Sequence, residues 1–153
     1  DLETAADQFN QVQKRVVELA AQGAPKAVIY PQMLVERWAK GVLEKVESGI
    51  TEESLTFEIQ GIRLDDFVLL TMPGEPFVEI GLEAKENSSA KVTMFAGYCN
   101  GIQAYWPSPK TINVGGMAVE SAVKTYNNSA PPVAEAAEII VNNFSRLSHA
   151  LVS

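Results

Sequence analysis

The chain has 153 residues with 19 acidic and 12 basic side chains, a formal net charge of −7, and a hydrophobic fraction of 46%. The acidic balance argues against nucleic acid and anionic membrane surfaces as partners, because both are bound through clustered Lys and Arg. The single cysteine, Cys99, excludes an internal disulfide and a cysteine-rich zinc site. No apolar run reaches the roughly 18 residues of a membrane-spanning helix, so we expect no transmembrane segment.

The N-terminal third has the pattern of two amphipathic helices. The first apolar stripe recurs at spacings of three and four residues and consists of Leu2, Ala5, Phe9, Val12, Val16 and Leu19. It favours a helix packed on its own core and ending at Gly23 and Pro25, with a self-associating coiled coil as the alternative. A second helix is expected to begin near Pro31 and to end at Ser48-Gly49. Its apolar face comprises Val35, Trp38, Val42 and Val46.

Three strands are expected in the middle of the chain. Residues 55–60 alternate apolar and polar side chains, which indicates a strand with one buried face. The continuous apolar run Phe67–Met72 is typical of a strand buried on both faces, and the turn Asp65-Asp66 joins the two runs into a hairpin. A third strand is expected over Lys91–Gly97.

The remaining segments predict helices and one long ordered loop. Glu75–Ala84 has the character of a short helix, Gly97–Gly116 that of a Gly- and Asn-rich loop, and Pro131-Pro132 is expected to open a last helix. The stripe of that helix consists of Val133, Ala137, Ile140, Phe144, Leu147 and Leu151. The fold class is therefore α/β, a small mixed sheet of about three to four strands flanked by four to five helices.

Two loops that follow buried strands carry the chemically interesting side chains. Glu75 comes directly after Pro73-Gly74, and Tyr105 lies in the aromatic loop after the third strand. Glu75 is either a structural carboxylate at a helix N-terminus or a ligand or base in a cleft. If the two strands are neighbours, Glu75 and Tyr105 converge, because sites gather at the carboxyl ends of strands. His149, the only histidine, is expected at the surface near a helix C-terminus.

An ordered set of motifs resembles the neutral, non-lysosomal ceramidase family and its bacterial relatives. The set is Met-Pro-Gly-Glu-Pro-Phe at residues 72–77, then Gly-Tyr-Cys-Asn-Gly at 97–101 with Tyr105-x-Pro107, then Gly115-Gly116. The resemblance covers about residues 62–116. It implies that the chain is either a single domain or the C-terminal part of a ceramidase-like catalytic domain, and that it acts in a secreted or periplasmic compartment if it follows the family.

The resemblance also implies a metal site that is incomplete in this chain. Glu75 and Tyr105 match two ligands of a catalytic zinc, and histidines outside this chain supply the others. Carboxylate and phenolate oxygens are suitable zinc ligands beside imidazoles. The implied partners are the remainder of the catalytic domain and a lipid-like N-acyl substrate. The implied reaction is hydrolysis of a ceramide-like amide bond.

One departure from the family pattern opens an alternative function. The family has a tyrosine that stabilises the oxyanion at the place where this chain has Met117. Methionine cannot donate a hydrogen bond, and losing one such donor costs on the order of 100-fold in rate. Tyr98 and Tyr126 are the candidate replacements. The alternative is a catalytically inactive ceramidase-like module that binds a ligand or partner through its aromatic loop.

Overall fold

The computed structural model describes all 153 residues and confirms the α/β class with a small mixed sheet. The α-helices are α1 (Leu2–Ala21), α2 (Lys26–Glu47), α3 (Val78–Glu86), α4 (Pro109–Val114), α5 (Ala122–Tyr126) and α6 (Ala136–Val152). The strands are β1 (Gln60–Leu64), β2 (Phe67–Thr71), β3 (Glu75–Pro76), β4 (Val92–Ala96) and β5 (Tyr105–Trp106). A π-helical segment covers Met117–Ser121.

The residue contacts divide the chain into two compact units. Unit 1 comprises Asp1–Ser54 and Val123–Ala130, and unit 2 comprises Leu55–Ala122 and Pro131–Ser153. The chain passes between the units after Ser54, after Ala122 and after Ala130, and Pro131-Pro132 follow the last of these points. None of the helices combines the length and apolar character needed to cross a bilayer, in agreement with the hydropathy of the sequence.

Unit 1 is built on two long helices, α1 and α2, that pack against each other and whose boundaries are partly those expected. Asp1 caps α1 by accepting the Thr4 N–H at 2.9 Å, and Gly23 follows its end at φ +68°. The apolar stripe of α1 faces its own unit: Ala5 and Leu19 are buried, and the residues between them are half-buried. The stripe is therefore used for packing within the chain, as the first of the two interpretations predicted.

The start predicted for the second helix is wrong. α2 begins at Lys26, and Pro31 lies inside it. Pro25 occupies the N-cap, and its carbonyl accepts the N–H groups of Val28 and Ile29 at 2.9 and 3.2 Å. The first turn therefore forms before Pro31. Because proline has no N–H, the helix lacks one backbone hydrogen bond at that residue. The predicted end at Ser48-Gly49 is confirmed, with Gly49 at φ +72°.

Unit 2 contains a three-stranded sheet in the order β1-β2-β4. β1 and β2 form the expected hairpin around Asp65, which has φ +55°, and β2 runs parallel to β4. The predicted strand over residues 55–60 is wrong, because Gln60 is already paired with Thr71, the last residue of β2. Residues before Gln60 have no partner left, and Phe57 and Ile59 instead pack on the core as irregular chain.

The core of unit 2 lies on one face of this sheet. Val68 and Leu70 of β2 have no exposed surface, and they belong to one cluster with Ile80 of α3 and Phe144 of α6. Phe144 also meets Phe95 edge to face, with ring centroids 5.4 Å apart. On the opposite face of β2, Thr71 is buried but Phe67 and Leu69 are only half-buried, so the predicted burial on both faces is confirmed in part.

Three further boundaries differ from the predicted ones. The helix expected over Glu75–Ala84 begins only at Val78, because Glu75 and Pro76 pair as β3. The expected loop Gly97–Gly116 contains β5 and α4. Pro131-Pro132 do not open α6 as predicted, because the helix begins at Ala136 with Glu135 at its N-cap. From the predicted stripe, Val133 is therefore outside the helix, whereas Ala137, Ile140 and Phe144 are buried as expected.

Candidate metal site at Glu75 and Tyr105

Glu75 and Tyr105 lie side by side on two short parallel strands. β3 pairs with β5 so that Glu75 is opposite Tyr105 and Pro76 is opposite Trp106. The Glu75 N–H donates to the Ala104 carbonyl at 2.9 Å, and the Phe77 N–H donates to the Trp106 carbonyl at 3.0 Å. The prediction that the two loops converge is confirmed. The helix-cap interpretation of Glu75 is wrong, since α3 starts three residues later with Phe77 at its N-cap.

The turn before Glu75 is fixed by a glycine and a tryptophan. Gly74 has φ +79°, and a Cβ atom there would approach Trp106 Nε1 to 2.4 Å and the Ala104 carbonyl oxygen to 2.6 Å. The indole N–H of Trp106, which is buried, donates to the Pro73 carbonyl at 3.0 Å. Only glycine fits both the left-handed backbone and this close approach. The Pro-Gly sequence therefore sets the direction in which Glu75 leaves the core.

Tyr98 is the third member of the site, and its hydroxyl donates to Glu75 Oε2 at 2.5 Å. Tyr98 has φ +60°, and its N–H is held by the Gly74 carbonyl at 2.9 Å. Asn100 also has a positive φ, of 61°, and its side-chain amide donates to Gln60 Oε1 at 2.9 Å. Two neighbouring non-glycine residues in the left-handed region indicate a loop whose shape is imposed by its contacts.

Glu75 shifts the titration of both phenols in the same direction. The pKa of Tyr98 is raised above 10.0, first by its hydrogen bond to Glu75, then by desolvation and by the charge of Glu75. The pKa of Tyr105 is raised for the same causes in the same order. Both phenols are therefore protonated at neutral pH and serve as donors to one carboxylate. A metal ion that binds through Tyr105 must displace its phenolic proton.

A shallow, largely apolar groove runs beside this cluster. Its wall includes Pro76, Phe77, Leu82, Lys85, Phe95 and Tyr98. Gly81 and Gly97 allow close packing beneath the groove. A Cβ atom at Gly81 would come within 2.8 Å of the Phe95 ring, and one at Gly97 would come within 2.7 Å of Pro76. The groove thus places apolar surface beside Tyr98, the donor to Glu75, and has one lysine, Lys85, in its wall.

Other residues singled out in the sequence lie outside this cluster. Cys99 is half-buried, with its Sγ 3.4 Å from the Gly97 carbonyl oxygen. His149 is exposed in the last turn of α6, as expected. Met117 is 65% exposed at the start of the π-helical segment, and Tyr126 belongs to unit 1. No group of three or more His, Cys, Asp or Glu side chains is arranged to hold a metal.

Sequence reasoning missed the bond between Tyr98 and Glu75. The sequence offers Tyr98 only as a candidate replacement for the donor that Met117 lacks. The two residues are 23 positions apart, and no local pattern connects them. The pairing of β3 with β5 and the left-handed backbone at Tyr98 create the contact.

Comparison of the chain with protein-family models, curated proteins and solved structures found no match. The ceramidase resemblance therefore depends on the motifs alone.

Proposed function

We propose that this chain is part of a zinc-dependent amidohydrolase resembling the neutral ceramidases, with Glu75 and Tyr105 as two of the zinc ligands. The observation that supports it best is the register of β3 and β5, which places the carboxylate opposite the phenol. The two are joined through a hydrogen bond that raises the pKa of Tyr105. The other ligands in this proposal are histidines outside the chain.

The residues present fit one half of a zinc site. The carboxylate and the phenol are oxygen donors on adjacent strands, and their backbones are fixed by β3–β5 pairing. Zinc sites use three or four protein ligands, so two ligands alone hold the ion weakly. Once bound, zinc would supply a Lewis acid that polarises an amide carbonyl and acidifies a water molecule.

The chain's own residues suggest how the substrate is placed. The groove lined by Phe77, Leu82 and Phe95 opens beside Glu75 and suits an apolar acyl chain. Tyr98 borders both the groove and the carboxylate. In this proposal it orients Glu75 toward the metal. The substrate class is an N-acyl, ceramide-like amide.

Zinc titration of the chain tests the ligand assignment without requiring catalysis. We expect zinc in mildly alkaline buffer to produce phenolate absorbance, because the metal replaces the proton of Tyr105. Glu75→Ala should remove most of that signal, and Tyr105→Phe should do the same. Glu53→Ala, at a carboxylate in unit 1, is the matched control and should retain the signal. A Glu75→Ala protein with the full zinc response would exclude Glu75 as a ligand.

A catalytically inactive ceramidase-like binding module is the second candidate. Its supporting observation is the exposed thioether at Met117, where the family pattern has a hydrogen-bond donor. The two candidates differ in the behaviour of the complete catalytic domain with its histidines. Release of fatty acid from a fluorescent N-acyl sphingosine, lost in Glu75→Ala, identifies the enzyme. Tight binding of the same substrate without release identifies the module.

A further inference from the structure

The second face of the three-stranded sheet is apolar and uncovered. The strand register places Ile62, Leu69 and Met94 in one row across β1, β2 and β4. Leu64, Phe67 and Val92 form the next row on the same face. We call these six side chains the outer face. Ile62, Leu64, Val92 and Met94 are 52 to 65% exposed, whereas Phe67 and Leu69 at the centre are half-buried.

The sequence of β2 is that of a strand with a layer on each side. Phe67–Thr71 is a nearly continuous apolar run, and such runs are typical of parallel strands covered on both faces. Val68 and Leu70 are fully buried beneath α3 and α6, while the neighbouring Leu69 is not. The sheet is mixed, with β1 antiparallel and β4 parallel to β2, so the expectation of a second layer comes from the apolar run of β2. One layer is therefore missing on the outer face.

The size of the outer face decides what covers it. Three strands about 4.8 Å apart span roughly 10 Å, which is the diameter of one α-helix with its side chains. A stable dimer interface buries about 800 Å² on each partner and uses 20 to 30 residues a side. The face provides six apolar side chains, and Gln60, Thr71 and Ala96 lie at its end, where Thr71 is already buried. It is too small for a second copy of the chain and matches a single helix.

Charge decides the chemistry of that helix. None of the nine side chains on this face is charged, so its centre accepts an apolar stripe. Unit 2 as a whole carries ten acidic and five basic side chains. A second copy would therefore bring like charge, whereas a helix with Lys or Arg along its flanks would bring the opposite charge.

We propose that the outer face is the docking surface for one amphipathic helix with basic flanks, supplied by a partner polypeptide. The helix lays apolar side chains at positions i, i+3, i+4 and i+7 over the two rows. This proposal does not require zinc at Glu75. Its failure leaves the metal assignment intact, because the test below reads helix binding.

A synthetic Leu–Lys peptide of about 18 residues with one apolar stripe is the probe. We expect it to bind the 153-residue chain and to shift the methyl resonances of Ile62 and Met94. The double variant Ile62→Ser/Met94→Ser should weaken binding at least about tenfold, because it removes two apolar contacts. The matched control Val114→Ser/Val133→Ser changes two valines of unit 2 that are 79% and 64% exposed and lie outside the sheet. It should bind as the wild type does.

Several outcomes would overturn the proposal. These are equal binding of a scrambled Leu–Lys peptide, equal binding of a Leu–Glu peptide with the same stripe, and equal losses in both double variants. A peptide-free dimer in sedimentation that dissociates in Ile62→Ser/Met94→Ser would assign the face to a second copy instead. Circular dichroism melting of each variant confirms its fold. If the face variant unfolds, the methyl shifts of the wild type decide alone, and their absence overturns the proposal.

Discussion

Two carboxylates, one in each unit, have contrasting surroundings. Glu53 in unit 1 accepts from Lys45 Nζ at 2.7 Å and from the Ser129 N–H at 3.2 Å. Glu75 in unit 2 accepts from the phenols of Tyr98 and Tyr105. At neutral pH the lysine beside Glu53 is positively charged and balances the charge of that carboxylate. The phenols beside Glu75 are neutral donors and do not balance its charge.

The two carboxylates also differ in what their bonds hold together. The Lys45–Glu53 pair joins the end of α2 to the returning segment around Ser129, whose hydroxyl accepts from Lys45 at 2.9 Å. Glu53 therefore links two segments of unit 1. The Glu75 side chain is not needed to link two segments in this way, because backbone hydrogen bonds already hold β3 to β5. That side chain is held by two phenols, and in the proposed zinc site a metal ion would replace the proton of one of them.

The largest effect on stability is expected from substituting Gly74, in the turn before Glu75. Gly74→Ala forces a Cβ atom against Trp106 and the Ala104 carbonyl in a left-handed backbone. We expect a loss of about 3 kcal/mol or more in the free energy of unfolding, measured in urea. Gly49→Ala, in unit 1, has a similar φ but nothing within 4 Å of the added atom, so it should cost about 1 kcal/mol. Equal costs would contradict the close packing at Gly74.

The two tryptophans give the next largest effect and a second matched pair. Trp106 donates to the Pro73 carbonyl at 3.0 Å in unit 2, and Trp38 donates to the Asn128 carbonyl at 2.7 Å in unit 1. Each Trp→Phe change should cost about 1 to 3 kcal/mol, because it leaves a buried carbonyl without its donor. Only Trp106→Phe should also alter the zinc response, since Pro73 precedes the turn into Glu75. An altered response in Trp38→Phe would show that the two sites are not independent.

The sequence predicted those parts of the fold that depend on a local repeat. The stripes of α1 and α6 are recognisable because burial on one helix face imposes a period, and β2 and β4 are recognisable as short apolar runs. β3 and β5 have two residues each and no period, so they exist only through their partner. The early start of α2 escaped prediction because Pro31 is tolerated inside the helix.

The candidate site was predictable only in part, for the same reason. Glu75 after Pro73-Gly74 and Tyr105 before Pro107 were found from motif order, and their convergence required only that the strands be neighbours. Tyr98 depends on a left-handed backbone angle and on strand register, which a single sequence does not display. The uncovered outer face was also invisible, because the sequence of β2 is that of a strand covered on both sides.

A smaller effect is expected from removing the charge of Glu53. Glu53→Gln should cost about 0.5 to 1 kcal/mol at neutral pH, the range of a partly exposed ion pair. The pKa of Glu53 is lowered from 4.5, chiefly by its hydrogen bond from Lys45. Its stabilisation is therefore present above that value and is lost as the pH falls through the lowered pKa. Urea unfolding at about pH 7 and pH 3 should show a smaller difference at the lower pH.

Glu52→Gln is the control for that measurement, because Glu52 is an exposed neighbour in the same segment. It should change the free energy of unfolding by no more than about 0.5 kcal/mol at either pH. A Glu53→Gln protein that stays weaker than the wild type by the same amount in acid would show that the ion pair is not the source of its stabilisation.

The smallest effect on stability, and the most specific to Glu75, is expected in the titration of the phenols. The pKa values of Tyr98 and Tyr105 are raised above 10.0 by Glu75. Groups with a raised folded pKa contribute stability that is present below the unfolded pKa and is lost as the pH rises through the folded value. The stability difference between wild type and Glu75→Ala should therefore shrink above about pH 10.

In Glu75→Ala, two of the four tyrosines should ionise at lower pH, seen as phenolate absorbance that appears at lower pH than in the wild type. Glu53→Ala should leave that curve unchanged, and an unchanged curve in Glu75→Ala would remove the basis for treating the two phenols as donors to one carboxylate.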